Sequence, residues 1–245
     1  MNFSVIVPIK NQFKIIKMCL ESLQRHHKDE DIIVVDDGSD EENTKKVIVS
    51  MCSANNWKHI RNEKSVGHSR ACEQGIEVAK MENLFLLNSD TIVTENGLKI
   101  LDKVLRENKD IAVVGPKTSS ATGPQLSQEA YINRFVWTID QIEEFAKQCE
   151  LVEENMSDLD LICGFCFGIK KSVFLSVGKF DQQLTCYGNE KELLIRVRKA
   201  GYRTVFVPMS YIHHFGRMSY SHENINIAKC QKDGDRLIAK KHGLK

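Results

Sequence analysis

No stretch of this chain is long and apolar enough to cross a bilayer. Its longest late run, Leu161 to Ile169, is about half of the roughly 20 residues a spanning helix needs. Net charge is nearly absent as well. With 34 basic and 33 acidic residues, net +1, no global field draws nucleic acid or an anionic membrane, so any phosphate binding has to be local. Proline and glycine are sparse, 4 and 14 in 245 residues, which excludes collagen-like and low-complexity chains. Nothing basic precedes the short apolar run from Phe3 to Ile9, so no secretory signal is expected. The eight cysteines are then expected to stay reduced as small core residues, and the compartment to be the cytoplasm, with membrane contact peripheral if it occurs. Cys163 and Cys166 form a CxxC, but no second pair stands at zinc-like spacing, so a core role outweighs a metal or redox one.

What the chain does have is a 42% hydrophobic, 27% charged composition, and a length that suits one α/β domain, residues 1–245. Short apolar runs alternate with helical patterns, the mark of βαβ units and a parallel sheet. Strands are predicted at Phe3 to Val7, Ile32 to Val35, Trp57 to Ile60, Leu84 to Leu87 and Ile111 to Val114, the last closed by a Gly115-Pro116 turn. Helices are predicted between them at Ile15 to Leu23, around Val47 to Met51 with Asp40 as cap, at Val66 to Ala79 and at Glu95 to Leu105. From Lys117 to Asp160 the rhythm fails, leaving a loop and a helix near Ile139 to Cys149 where specificity is commonly added to a scaffold. A strand at Leu161 to Ile169, helices at Ser172 to Val177 and Glu190 to Ala200, and a strand at Tyr202 to Val207 ended by Pro208 follow. A charged C-terminal helix over Asn224 to Lys245 packs back on the body. The expected division is a nucleotide-binding half, 1–116, an acceptor-binding half, 117–223, and the helix, 224–245.

In open parallel sheets a ligand sits beyond the carboxyl ends of the strands, so polar residues right after apolar runs are the first suspects. Three strand ends carry them: Pro8-Ile9-Lys10-Asn11, Asp36-Asp37-Gly38-Ser39 and Asn88-Ser89-Asp90. Acids and glycine there are also ordinary turn formers, and it is the coincidence of three such ends that favours a site. No Gly-rich phosphate loop follows the first strand, so a divalent cation held by oxygen ligands is the expected means of managing phosphate charge. Asp90 suits that metal role, and Asp36 and Asp37 suit the nucleoside, Asp36 toward the base and Asp37 toward the ribose or outward.

These residues carry a resemblance. Ser4-Val5-Ile6-Val7-Pro8 with Asn11, Val34-Val35-Asp36-Asp37-Gly38-Ser39 and Leu86-Leu87-Asn88-Ser89-Asp90-Thr91 resemble the opening motifs of family 2 glycosyltransferases, inverting enzymes of the GT-A fold. Cys163-Gly164-Phe165, Gly178-Lys179-Phe180-Asp181, Tyr187-Gly188-Asn189-Glu190, Arg196 and Ala200-Gly201-Tyr202 follow in that family's order, and His213-His214-Phe215-Gly216 with Ser219 resembles its C-terminal histidine motif. The resemblance implies a Rossmann-like, mostly parallel central sheet with helices on both faces, an acceptor-side insertion and a C-terminal helix. It implies a nucleotide-diphosphate sugar as donor, UDP-sugars favoured, Mn²⁺ or Mg²⁺, and a glycan, lipid-linked or protein acceptor. It places Pro8, Asn11, Asp36, Asp37, Arg70, Asn88 and Ser89 at the donor, and Asp90 with His214, or alternatively His213, at the metal. Gly164, Phe165 and Asn189 fall on the acceptor side. Tyr131, Phe135 and Trp137 suit stacking on an acceptor sugar, or more ordinarily a core.

Three positions depart from the family pattern. Asn88 replaces the first acid of Asp-x-Asp, Asn189-Glu190 stands for Glu-Asp, and Glu73 occupies a position where asparagine is often found. Helix spacing chooses the expected base: Glu190 shares a stripe with Leu193, Leu194 and Val197 at the start of the inward face, with Asn189 as helix cap. Glu192 pairs at i+4 with Arg196 on a flank, an ordinary surface device. The competing expectations are a catalytically silent GT-A binding or scaffold module and a sugar-phosphate nucleotidyltransferase, which wants a Gly-rich basic loop after the first strand.

Overall fold

The computed structural model describes residues 1–152, 154–184, 187–216 and 227–244. Apolar runs buried on both faces form β1 (Ser4–Ile9), β2 (Asp31–Asp36) and β4 (Asn83–Leu87), which with the polar, part-exposed edge strand β3 (Lys58–Arg61) pair in parallel in the order β3-β2-β1-β4. Beyond a short β5 (Thr91–Val93) lie β6 (Ile111–Thr118), β7 (Ser157–Asp158), β8 (Cys166–Lys170) and β9 (Arg203–His214), continuing the sheet as β4-β8-β6-β9-β5, with β7 on β9. Strand β8 runs against β4 and β6, whereas β6 and β9 are parallel, so six of the nine strands point one way. The expected boundary at residue 116 falls inside β6.

Alternation along the strands explains why both faces are covered. Val5, Val7, Val34 and Leu87 enter one core beneath α1 (Phe13–His27), α2 (Glu42–Asn55) and a later helix, α4 (Gly97–Glu107). Ile6, Ile33, Val35 and Leu86 enter the other, beneath α3 (His68–Val78), with α7 (Lys171–Val177) and α8 (Asn189–Lys199). The insertion holds α5 (Gln128–Asn133) and α6 (Ile139–Leu151), the latter opened by a Thr138/Gln141 capping box. The final helix α9 (Ile227–His242) sets Leu237 and Ile238 against Leu184 and Ile195.

Several expected boundaries move. Gly115-Pro116 is no turn, and Pro208 does not end its strand. Where β6 passes Pro116, the partner on β9 jumps from Val207 to Tyr211, and this bulge accommodates both prolines without a broken ladder. The strand expected over 161–169 starts late and ends one residue on, as Cys166–Lys170. Helix α2 is preceded by Glu41 rather than capped by Asp40, and α8 by Gly188 in a left-handed conformation rather than by Asn189. Nor do all the cysteines stay reduced: Cys230 is disulfide-bonded, while Cys19, Cys52, Cys72, Cys149, Cys163 and Cys166 are free. Ser219 and Cys186 lie outside the described residues.

Candidate active site

Strand direction assembles the site. The carboxyl ends of β1, β2, β4, β6 and β9 lie along one sheet edge, and because β8 is antiparallel its amino end, led in by Gly164 and Phe165, arrives there too. Residues 8–11, 36–39, 88–90, 118–120, 164–165 and 213–216 therefore converge from distant parts of the chain.

At the nucleoside end the two aspartates bind the protein itself. Asp36, fully buried, accepts from the Ser39 N–H at 2.8 Å and from the Arg61 guanidinium. Asp37 does not turn outward: its carboxylate accepts from Val66 N–H (2.8 Å), Ser65 Oγ (2.7 Å), Asn62 Nδ2 (3.0 Å) and Gly67 N–H (3.0 Å). Burial pushes this carboxyl up, and those donors outweigh it and hold it below the usual carboxylate range. Asp37 thus fills its four acceptor positions, whereas Asp36 uses two. Pro8 is buried in β1. Asn11, at φ 56°, turns its side-chain carbonyl to the N–H groups of Asp40 and Glu41, both at 3.1 Å, tying β1 to the start of α2.

Between β4 and β5, Ser89 and Asp90 form a turn whose Asn88 carbonyl accepts from Thr91 Oγ1 at 2.8 Å. Strand β5 then pairs Thr91 with His214, which brings the acid and the histidine of two distant motifs together. His214 Nε2 stands 3.2 Å from Asp90 Oδ1. His214 Nδ1 lies 2.6 Å from the Ser120 carbonyl, which can only accept, so Nδ1 carries the proton and in the neutral ring Nε2 presents a lone pair. That Nε2 is buried and has no hydrogen-bond partner among the described residues. A lone pair facing a carboxylate oxygen at this distance has room for a proton or a metal ion between them, and an oxygen with an imidazole nitrogen suits Mn²⁺, the carboxylate alone Mg²⁺, when phosphates and water complete the shell. Phe165 stacks on the ring at 4.8 Å and 15°.

His213 has no such freedom. Its Nε2 donates to the Arg134 carbonyl and its Nδ1 accepts from the Tyr211 hydroxyl, both at 2.9 Å, and burial pulls the ring down to about 4.

The expected base, Glu190, is half-buried and faces Gly164: a Cβ on Gly164 would meet Glu190 Oε1 at 2.1 Å. A larger residue there would have to push the Glu190 carboxylate aside. Glu192 is not the flank residue expected. It is fully buried, held by Arg196 at 2.7 Å, Lys241 at 2.7 Å and His242 at 3.1 Å, because α9 folds over that side of α8.

The remaining expected site residues divide. Asn88 and Ser89 are part-exposed at the edge. Arg70 is exposed, 3.4 Å from Glu73, and Glu73 is taken up by Phe180 N–H and Gln182, each at 3.0 Å. Phe165 and Asn189 are buried, Phe165 against the His214 ring and Asn189 donating to the Leu184 carbonyl. Trp137 packs on Phe145 and His213, while Tyr131 and Phe135 stay exposed. Sequence reasoning missed His68, whose Nε2 is 3.2 Å from Asn88 Oδ1, although its place right after the Gly67 turn, at the head of a helix, was a usable signal.

An edge that gathers strand ends around a paired acid and histidine defines the GT-A class of fold, and structural comparison agrees. GalNAc-T7 solved with UDP, GalNAc and Mn²⁺ superposes with a TM-score of 0.68 at 18% identity, over 88% of this chain and 43% of that one. The mannosyltransferase PcManGT of Pyrobaculum calidifontis, with GDP-Man and Mn²⁺, gives 0.64 at 15% over 89% and 57%. Residues 1–349 of S. aureus TarS, with UDP-GlcNAc, give 0.63 at 17% over 89% and 59%. The family model for glycosyl transferase family 2 matches residues 4–177, and the chain belongs to that family. A curated relative, the probable N-acetylgalactosaminyltransferase 6 of Caenorhabditis elegans, is 23% identical over 176 residues, covering 68% of this chain. The chain spans only 28% of that relative and about half of the solved chains. No helix among the described residues is long and apolar enough to cross a membrane.

Proposed function

We propose that this chain transfers a sugar from a nucleotide-diphosphate sugar, a UDP-sugar foremost, to an acceptor hydroxyl with inversion at the anomeric carbon. The observation that carries the proposal is the Asp90–His214 pair, 3.2 Å apart at the sheet edge with the buried His214 nitrogen turned toward the acid. Asp90 and His214 would hold Mn²⁺ or Mg²⁺, which when bound supplies positive charge for the leaving diphosphate. The nucleoside lies over the ends of β1 and β2, above the buried Asp36. Glu190 takes the proton of the acceptor hydroxyl as its oxygen bonds to the anomeric carbon. The bond from that carbon to the diphosphate breaks, and the nucleoside diphosphate leaves with the electron pair. A glycan, lipid-linked or protein acceptor approaches from the side of residues 117–160, and residues 1–245 work as one domain.

The test is a panel of UDP-, GDP- and dTDP-sugars incubated with Mn²⁺, with NMR following sugar release and the anomeric configuration of any product. Metal-dependent turnover of a UDP-sugar with inversion is expected. Retained configuration would overturn the mechanism. No turnover of any donor would favour the catalytically silent module, which Asn88 and Asn189 in place of acids would suit.

A further inference from the structure

The first position of the family's acidic motif is here an amide, and the residue missed in the sequence sits against it. His68 opens α3 and is exposed, and its Nε2 lies 3.2 Å from Asn88 Oδ1. One turn further along the helix the Cys72 sulfur packs against the ring, 3.8 Å from His68 Nδ1 and 4.0 Å from Nε2. The Cys72 sulfur foremost, with the Glu190 carboxylate and the Asn88 carbonyl adding to it, favours a proton on this ring. A ring nitrogen that carries the proton needs an acceptor, and the acceptor available to Nε2 is the Asn88 carbonyl. The backbone of Asn88 is pinned as well, its N–H donating to the Phe165 carbonyl at 2.7 Å. With Oδ1 committed to His68, Asn88 Nδ2 finds no acceptor among the described residues, and Asn88 is part-exposed two positions from Asp90.

We infer that His68 is a positioning residue that locks the Asn88 amide with its NH₂ toward the donor, so that position 88 gives hydrogen bonds to the nucleotide sugar instead of oxygen ligands to a metal. The inference rests on the nucleotide-sugar reading above and reverses the polarity of one wall of that site. Where an acid would accept from a cation, the amide donates, and oxygen acceptors of a diphosphate or a sugar are its natural partners. Asp90 and His214 are then left as the protein's only contribution to the cation among the residues placed here.

Calorimetric titration with UDP and MnCl₂ reads the consequence. His68→Ala is expected to weaken UDP binding about three- to tenfold, the effect of losing one oriented hydrogen bond, and to act on donor KM more than on kcat. His68→Gln, whose amide nitrogen reaches the same place as Nε2, is expected to restore affinity. Equal affinity in His68→Ala and parent, or no rescue by glutamine, would overturn the inference. A second arm uses Mn²⁺ electron paramagnetic resonance. Asn88→Asp alone is expected to gain little metal affinity, because the new acid pairs with His68, and N88D/H68A to gain clearly more; equal gains would overturn it. A ligand-free readout separates this inference from the reading beneath it. The side-chain amide resonances of Asn88 are expected to shift in His68→Ala, and unchanged resonances overturn the lock. A parent that fails to bind UDP while showing that shift sinks the nucleotide reading and leaves the lock standing.

Discussion

At the scale of single residues, the two adjacent histidines differ in what their nitrogens already do. His213 spends both on the protein, so His213→Ala removes two hydrogen bonds and the packing of a buried ring and is expected to cost about 1 to 3 kcal/mol of stability. His214→Ala is expected to leave the urea midpoint nearly unchanged and to weaken Mn²⁺-dependent UDP binding instead, as is Asp90→Ala. A His213 variant that loses metal while the His214 variant keeps it would exchange their roles. Asp37 shows the same logic in an acid. It ties four donors of residues 62–67 to the end of β2, so Asp37→Asn turns an amide NH₂ against some of them and is expected to lower the denaturation midpoint. Its carboxyl is held low in the folded state, so its stabilisation is present above its ordinary value of 3.8 and fades as pH falls through the folded value. For the base, Glu190→Gln is expected to lose transfer by about a hundredfold or more with UDP binding kept. Gly164→Ala tests the same assignment without touching the acid, because its methyl claims the space of Glu190 Oε1 and should depress kcat while the metal still binds.

At the scale of elements, α9 decides what Glu192 is. On an isolated α8 the Glu192–Arg196 pair is a solvated i+4 contact worth a few tenths of a kcal/mol. Lys241 and His242 close over it, Leu237 and Ile238 cover Ile195, and the pair becomes the buried clasp between two helices. Arg196 extends the clasp to the Val177 and Gly178 carbonyls at 2.6 Å. Removing Glu192 leaves the largely buried Arg196 guanidinium without its carboxylate, while Lys241 keeps solvent and Asp181, so Glu192→Ala is expected to cost about 1 to 3 kcal/mol. Burial pushes the Glu192 carboxyl up, while Arg196 and Lys241 outweigh it and hold it below its ordinary 4.5. The sign follows: the clasp is intact above that value and is lost as pH falls through the lower folded one. Protection factors of α9 amides, observed exchange corrected for the intrinsic rate at each pH, are expected to fall as pH drops below the ordinary 4.5 of Glu192 in the parent, and to be low already at pH 7 in the variant. Unchanged protection factors in the parent as pH falls below 4.5 would separate α9 docking from Glu192.

At the scale of the whole molecule, a ligand that binds only the folded state stabilises all of it. With UDP and Mn²⁺ at about a hundred times the dissociation constant, linkage gives about 2.7 kcal/mol, a rise of roughly 5 to 10 °C in Tm for a domain of this size. GDP and dTDP are expected to give less, and EDTA to remove the gain. A larger rise with GDP would move the donor assignment to guanosine sugars.

The alternation of Val5, Ile6 and Val7, and of Ile33, Val34 and Val35, by itself determined that these strands are buried on two faces, and so that helices lie on both sides of a largely parallel sheet. It determined too that 8–11, 36–39 and 88–90 are strand ends, since polar residues after an apolar run have to leave the core. Local signals were weaker where the outcome depends on a partner strand. Pro116 and Pro208 read as stops, yet a bulge shared by β6 and β9 carries the ladder past them, and a bulge belongs to two strands at once. The three-residue β5 carries too few residues for a pattern, but its pairing with β9 is what sets Asp90 against His214. The choice between His213 and His214 likewise rests on Ser120, Arg134 and Tyr211, the first two delivered by the ends of β6 and α5 from 94 and 79 positions away. Periodicity reports which face of one element a residue occupies. What stands on the other side of that face, α9 over Glu192 or Gly164 beneath Glu190, is set by tertiary contact alone, because burial and hydrogen-bond partners are properties of a pair and not of either sequence segment.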